Sequence, residues 1–509
     1  MEDQVRGSRP AVDAPKLTAS RSMMMGVTSR RATPRVLDST ATPSFTTTML
    51  VVVGAGLVLP YGFVQVSASS ARLLFPLYVL GFGLVLQKRC RPLYPAFCLA
   101  VFAFSPLLRR IADYHTGFST FSLILLAPYI VSLPCVLPLL RQALGSERGW
   151  MFVAMLGCFA YACFVALFQD HVMQALYEPL RWVIPIGLCA FIMERPQLAR
   201  ATHRGAVRAL AAIILILSVY GVAQYYDPRP WDRMWMMNAH NPTFGQPLPF
   251  RVRVFSMMNS PASAANFAST ALLLLSGESG LAFLVAIAGV PLVALTAVRS
   301  AWWSLAVGLV VMLVMAPWRQ KVLLMAFVLS STLLISGLLA SRDILPNELR
   351  YFVSDRFYTI MDLNTDRSAD DRLTTYGQFY SRLADRPLGE GFGVNSSTIS
   401  DLAKQNRPVL DSAIMESFLT FGLIGGVVYF LAIGGFLVAG YRACCAGGGR
   451  LAACLAAFCA MFAGMPLGTT QIGEVSIVAW TCMGLLLAEA DFERSRTPAI
   501  SGYGNSTPC

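Results

Sequence analysis

SAIMESFLTFGLIGGVVYFLAIGGFLVAG, residues 412–440, carries one charged side chain, Glu416, in 29 positions. About 20 apolar residues in a helix rise through the roughly 30 Å hydrocarbon layer of a bilayer. This stretch is longer than that, and it predicts a membrane-spanning helix. Thirteen further runs of the same kind lie at 47–66, 73–87, 93–107, 118–140, 149–168, 179–193, 209–226, 261–277, 281–298, 300–316, 322–340, 451–468 and 474–490. Several are short or broken by Gly and Pro, so the span count falls between 12 and 14. Pro128, Pro134, Pro185 and Pro291 fall inside runs and predict kinks whose freed backbone groups neighbouring helices satisfy. The expected fold class is an all-α polytopic integral membrane protein with a large, partly helical outer loop.

Composition agrees. Of 509 residues, 55% are hydrophobic and 13% charged, against about 25% charged in a soluble protein. Such a chain is neither a soluble globular domain nor disordered in bulk. The net charge of +12 fits the Lys and Arg that flank cytoplasmic helix ends. No basic stripe interleaved with aromatics appears, so the expected partner is the lipid bilayer and not nucleic acid. The 12 cysteines form no CxxC pair, and His115, His171, His203 and His240 are scattered without ligand spacing. Neither a metal nor another cofactor is expected from them.

With the N-terminus inside, the inner connections hold 13 Lys and Arg, at Lys88, Arg89, Arg91, Arg141, Arg148, Arg195, Arg200, Arg204, Arg208, Arg319, Lys321, Arg442 and Arg450. The short outer connections and the helix ends beside them hold five: Arg72, Arg109, Arg110, Arg181 and Arg299. That asymmetry orients the chain, and an even span count places the C-terminus inside as well. The chain then divides into a polar, disordered cytoplasmic tail (1–45), a membrane domain (46–340) with an outer loop at 227–260, a large outer loop (341–411), C-terminal membrane helices (412–491) and a cytoplasmic tail (492–509).

Outer loops of this length are usually functional. In DDRLTTYGQFYSRLADRP the positions Leu373, Tyr376, Phe379, Tyr380 and Leu383 fall on one face of a helix, which Pro387-Leu388-Gly389 ends. The loops also concentrate arginine, including Arg251, Arg253, Arg350, Arg372, Arg382 and Arg386. Guanidinium forks on the outer face point to an anionic ligand, because they bind phosphate bidentately at any relevant pH. Pairing with nearby Asp residues is the alternative. Arg299 opens a span beside Trp302 and Trp303, where it either snorkels to the interface or serves the ligand. Asp411 and Glu416 begin the 412–440 span, and intramembrane carboxylates are usually functional. Each is a candidate general base or an arginine counter-ion. The glycine-rich GEGFG at 389–393 lacks the Lys of a nucleotide loop.

The order of RVFSMMNSPASAANF at the opening of one span, AVRSAWW at another, RLTTYGQFYSRLADRPLGEGFG in the long loop and DSAIMESFLTFGLIGG at the next resembles the O-antigen polymerase/ligase superfamily of bacterial envelope glycan assembly. The resemblance covers about residues 253–430. Carried over, it assigns Arg253, Arg299, Arg372 and Arg382 to pyrophosphate binding and Asp411 to the catalytic His-or-Asp position, with Glu416 as second candidate. Ser256 and Ala262 stand where the family usually has Gly and Asn. No His occurs anywhere in 341–509, whereas ligases of the family use one, so the resemblance implies a polymerase.

It further implies donor and acceptor glycans carried on undecaprenyl pyrophosphate, an inner-membrane location with a periplasmic active face, no nucleotide or metal requirement, and a chain-length regulator as possible partner. A ligase or protein O-oligosaccharyltransferase of the same superfamily, and a glycan transporter, are the alternatives. Trp231, Trp235, Tyr376 and Tyr380 are placed to pack on sugar faces or to anchor the interface.

Overall fold

Each of the fourteen apolar runs contains a helix in the computed structural model, which describes residues 43–169, 172–239, 242–340, 376–377, 379–393, 412–468 and 470–496. In chain order these are α1 (Phe45–Val66), α2 (Ala68–Arg89), α3 (Arg91–Thr116), α4 (Leu123–Gly145), α5 (Gly149–Phe168), α6 (Val172–Met193) and α7 (Pro196–Tyr226). A short helix, α8 (Pro230–Asn238), follows. Then come α9 (Pro261–Ser276), α10 (Leu281–Thr296), α11 (Arg299–Met315), α12 (Trp318–Ala340), α13 (Ala413–Ala446), α14 (Ala452–Gly464) and α15 (Gly473–Arg496). Ten of them are long and apolar enough to cross a bilayer. The described residues contain no named strand, only an isolated Gly245–Val252 bridge. The chain is an all-α, multi-pass membrane protein.

Burial sorts the helices. The apolar window of α3 is wholly buried and that of α15 is 83% buried, whereas α12 buries 11%. An apolar helix that its own protein leaves uncovered faces lipid, so α12 is peripheral and α3 and α15 are central. α3 runs past the expected end of its span at residue 107, because Arg109, Arg110 and Asp113 are buried inside the protein rather than placed in a loop.

The helices α9, α10, α11 and α14 have 16, 16, 17 and 13 residues. At 1.5 Å per residue they rise about 20–26 Å, less than the roughly 30 Å layer. They pack closely through small residues. A Cβ on Gly308 would come within 2.3 Å of Leu273, and one on Gly277 within 2.7 Å of Ala453. If each crosses the layer, the described irregular residues beside them, 253–260, 465–468 and 470–472, fall within it. There, non-helical backbone is tolerated only where protein covers it. Val254, Phe255, Ser256 and Met258 are accordingly buried.

α13 is broken. Gly422 has φ 74° and ψ 179°. The Leu423 N–H, which a continuous helix would give to the Leu419 carbonyl, goes to the Pro387 carbonyl at 2.8 Å. In exchange the Leu419 and Thr420 carbonyls accept from Glu390 N (2.6 Å) and Gly391 N (3.1 Å). The segment PLGEG thus repairs the gap. Positive φ at Gly389 and Gly391, and backbone 2.4–2.6 Å from where their Cβ atoms would sit, exclude any other residue from these two places. Tyr161 of α5 holds the segment from the far side through the Leu388 carbonyl at 2.6 Å.

Candidate functional site

The arginine-bearing segment 250–260 is fixed by a buried polar network. Gln224 of α7 accepts the Phe255 and Ser256 amides at 3.0 and 2.8 Å. Ser256 has φ 51°, a left-handed conformation that favours Gly, and its hydroxyl donates to the Leu217 carbonyl at 2.6 Å. Arg110 of α3 donates to the Ser256 carbonyl at 2.6 Å and pairs with Asp232 of α8. Asp232 also accepts from Tyr220 (2.8 Å) and Gln224 (2.9 Å). Burial pushes its carboxyl above the ordinary range against the pull of Arg110.

From that anchored segment Arg253 reaches the turn between α10 and α11. Its Nε donates to the Thr296 carbonyl at 3.3 Å and its Nη2 to the Ala297 carbonyl at 2.9 Å. Ala297 is left-handed, φ 53°, and Arg299 is the first residue of α11. Two arginines 46 positions apart are therefore brought to one turn, each half-buried. Beside it, a Cβ on Gly468 would lie 3.6 Å from the Ser300 hydroxyl. The Gly468 carbonyl accepts the Ala413 amide at 3.3 Å, and the Met465 carbonyl accepts it at 2.8 Å. The start of α11, residues 465–468 and the start of α13 thus adjoin.

Glu416 lies one turn into α13 and is buried, accepting from Gln471 Nε2 at 3.0 Å. The other amide atom, Gln471 Oε1, is buried with no hydrogen-bond partner among the described residues. Glu474, at the start of α15, accepts from Ser263 (3.1 Å) and Asn259 (3.5 Å) of the α9 opening. Arg181 of α6 pairs with Glu178 at 3.2 Å and lies within electrostatic reach of Glu474, Tyr129 and Tyr177, and of Glu416. Carboxylates from α6, α13 and α15 therefore all act electrostatically on one guanidinium, and Glu178 pairs with it directly.

Of the residues selected from sequence, Arg253, Arg299 and Glu416 gather at this end of the helices. Arg382 is placed elsewhere on the same side. It forms a bidentate pair with Glu390 (3.2 and 2.7 Å) and thereby clamps the segment that repairs α13. Arg372 and Asp411 lie outside the described residues. The expected helix is present at 379–385, but only part of its apolar face is used. Phe379 and Leu383 pack on Met415 and Leu419, while Tyr376 and Tyr380 are exposed. Trp235 is buried with the Arg109 guanidinium 4.6 Å above its ring, and Trp231 donates to Tyr220 at 2.8 Å, so both serve packing here.

Sequence reasoning did not single out Glu178, Glu474 or Gln471, and it placed Arg109, Arg110 and Arg181 in loops. The signal was available for the charged ones, since each is an ionisable group at the edge of an apolar run. The chain matches no protein-family model and no curated protein.

Proposed function

We propose that this protein is a polysaccharide polymerase of the bacterial inner membrane. It joins oligosaccharide repeats carried on undecaprenyl pyrophosphate at the periplasmic ends of its helices, with both termini in the cytoplasm. The observation that supports this reading best is the seating of Arg253 on the turn that launches Arg299, next to the opening of α13. A pyrophosphate leaving group gathers negative charge as its bond to the sugar breaks, and preorganised guanidinium groups are the donors that stabilise such charge. Arg253 spends Nε and Nη2 on fixed carbonyls, which holds its fork in one orientation.

In the proposed reaction a hydroxyl of the incoming repeat attacks the anomeric carbon of the growing chain. The C–O bond to pyrophosphate breaks with its electron pair, and undecaprenyl pyrophosphate departs. The hydroxyl proton passes to a carboxylate. Asp411, adjacent in sequence to the α13 cap Ser412, is the first candidate, and Glu416 is the second. The family resemblance adds Arg372 to this set of cations; Arg382, which it also assigns to the pyrophosphate, spends its fork on Glu390.

The test is gel analysis of lipid-linked and released glycan from a strain lacking the gene, complemented with wild type or Arg299→Ala. Single repeats accumulating on the lipid without the gene, and long chains restored by wild type alone, are expected. Long chains persisting on the carrier would overturn the polymerase reading in favour of a ligase or protein oligosaccharyltransferase. Untransferred repeats confined to the inner leaflet would indicate a transporter.

A further inference from the structure

At the other end of the helices, a cavity of about 420 Å³ opens between the start of α7, the end of α13 and the end of α15. Its rim carries three guanidinium groups, those of Arg200, Arg204 and Arg450, against two carboxylates. Glu489 accepts from Arg200 at 2.6 Å, and Glu493 pairs with Arg450 and lies 3.6 Å from Arg200. Neither carboxylate pairs with Arg204. Arg204 makes its hydrogen bond to the Arg200 carbonyl at 3.4 Å and has an exposed side chain.

Below the rim, the Nε2 atom of His203 is buried without a hydrogen-bond partner among the described residues, its nearest carboxylate being Glu278 at 3.4 Å. The inner wall is apolar, with Leu485 and Leu486 buried against it.

A ligand that fits must bring negative charge to the rim, an acceptor to a buried imidazole N–H, and apolar matter to the wall. A phosphate ester joined to a glycerol or acyl moiety brings all three. We propose that this cavity binds a phosphate ester, with Arg204 and His203 as its phosphate contacts and the apolar wall taking the glycerol backbone. The site stands at helix ends, at the level where a bilayer leaflet presents its headgroups. A glycerophospholipid and a soluble glycerol phosphate share the recognised chemistry. The inference does not depend on glycosyl transfer, since no residue of the cavity belongs to the site proposed above.

Thermal unfolding of the purified full-length protein in detergent, titrated with phosphatidylglycerol, sn-glycerol 3-phosphate or diacylglycerol, tests it. A ligand of the folded state raises the unfolding midpoint in a concentration-dependent way. Phosphatidylglycerol is expected to do so and diacylglycerol is not. An equal effect of sn-glycerol 3-phosphate supports the phosphate site and assigns it to a soluble ester. Arg204→Gln and His203→Gln should each raise the half-saturating concentration about tenfold, the loss of one charge-assisted hydrogen bond. Ala490→Phe fills the cavity without removing a charge and should abolish the shift while leaving the unliganded midpoint near wild type. Diacylglycerol acting as strongly as phosphatidylglycerol would overturn the proposal. So would an unchanged shift in both His203→Gln and Ala490→Phe.

Discussion

Glu416 is legible in the sequence because an ionisable side chain inside an apolar run is costly and seldom idle. The same rule reaches Glu178 and Glu474, but the apolar runs begin at 179 and 474, so both residues fall at edges. Hydropathy cannot tell a polar residue that ends a helix in water from one that a neighbouring helix covers. α6 begins at Val172, so Glu178 sits about two turns inside it. Arg109 and Arg110 escaped for the same reason, since α3 continues to Thr116. The partners are what the linear chain hides. Arg110 meets Asp232 across 122 positions, and Glu416 meets Gln471 across 55. Removing one member of the first pair strands the other. Arg110→Ala should therefore cost about 3–5 kcal/mol of stability, read as a lowered unfolding midpoint, with Tyr220 and Gln224 keeping the loss toward the lower figure. At the proposed site, Glu416→Gln preserves the shape and the Gln471 contact but removes the base. If Glu416 rather than Asp411 accepts the proton, polymer formation should fall about 100-fold or more while the unfolding midpoint holds. Arg253→Lys should restore little activity, because an ammonium cannot hold the Thr296 and Ala297 carbonyls and an anion with one planar fork.

At the scale of elements, the periodicity of 379–385 correctly marked a helix, and its break at Pro387 was readable too. The break in α13 was not. Gly422 lies within FGLIGG, whose glycines look alike in sequence, and only the docked PLGEG segment distinguishes the one with positive φ. Gly434 serves as the control, with nothing within 4 Å of its would-be Cβ. Gly434→Ala should be neutral or stabilising by up to about 1 kcal/mol. Gly422→Ala places a Cβ 2.5 Å from the Leu388 carbonyl carbon in a left-handed conformation, so it should cost at least about 1–3 kcal/mol. It should also free 387–391 from α13, which protease cleavage near Leu388 would report. Intact protection in that variant would contradict the role of the segment as a repair.

A second element-level contact lies at the other end, where α6 passes into α7. Burial lifts the Glu194 carboxyl, but hydrogen bonds from Arg141 and Arg91 outweigh it and hold the group below its ordinary range. A depressed carboxylate contributes stability above its unfolded-state pKa and loses it as pH falls through the folded value. Glu194→Gln should accordingly lower the unfolding midpoint at neutral pH, with the difference from wild type shrinking as pH falls through the folded-state value.

For the whole molecule, composition sufficed to predict a polytopic helical protein, because thirteen percent charge over 509 residues leaves no other way to bury the apolar surface. What composition could not supply is which helices are central. α12 is as apolar as the buried α15, with mean hydropathy 1.5 in each, yet its window is 11% buried against 83%. Burial depends on packing partners, which hydropathy does not encode. Orientation rests on the basic residues, and it carries the proposed function with it, since that proposal places the lipid-linked repeats at the periplasmic face. Among the described residues nine helices, α4–α7 and α9–α13, lie between Thr120 in the α3–α4 connection and Cys445 at the last turn of α13, and an odd number of crossings puts these two exposed residues at opposite ends. A membrane-impermeant maleimide applied to intact cells should label Thr120→Cys and leave Cys445 untouched. After permeabilisation Cys445 should label as well. The reverse pattern would put the Arg253–Glu416 region in the cytoplasm. Arginines that run against the positive-inside bias would then need no ligand to explain them, and the polymerase proposal would lose its substrate.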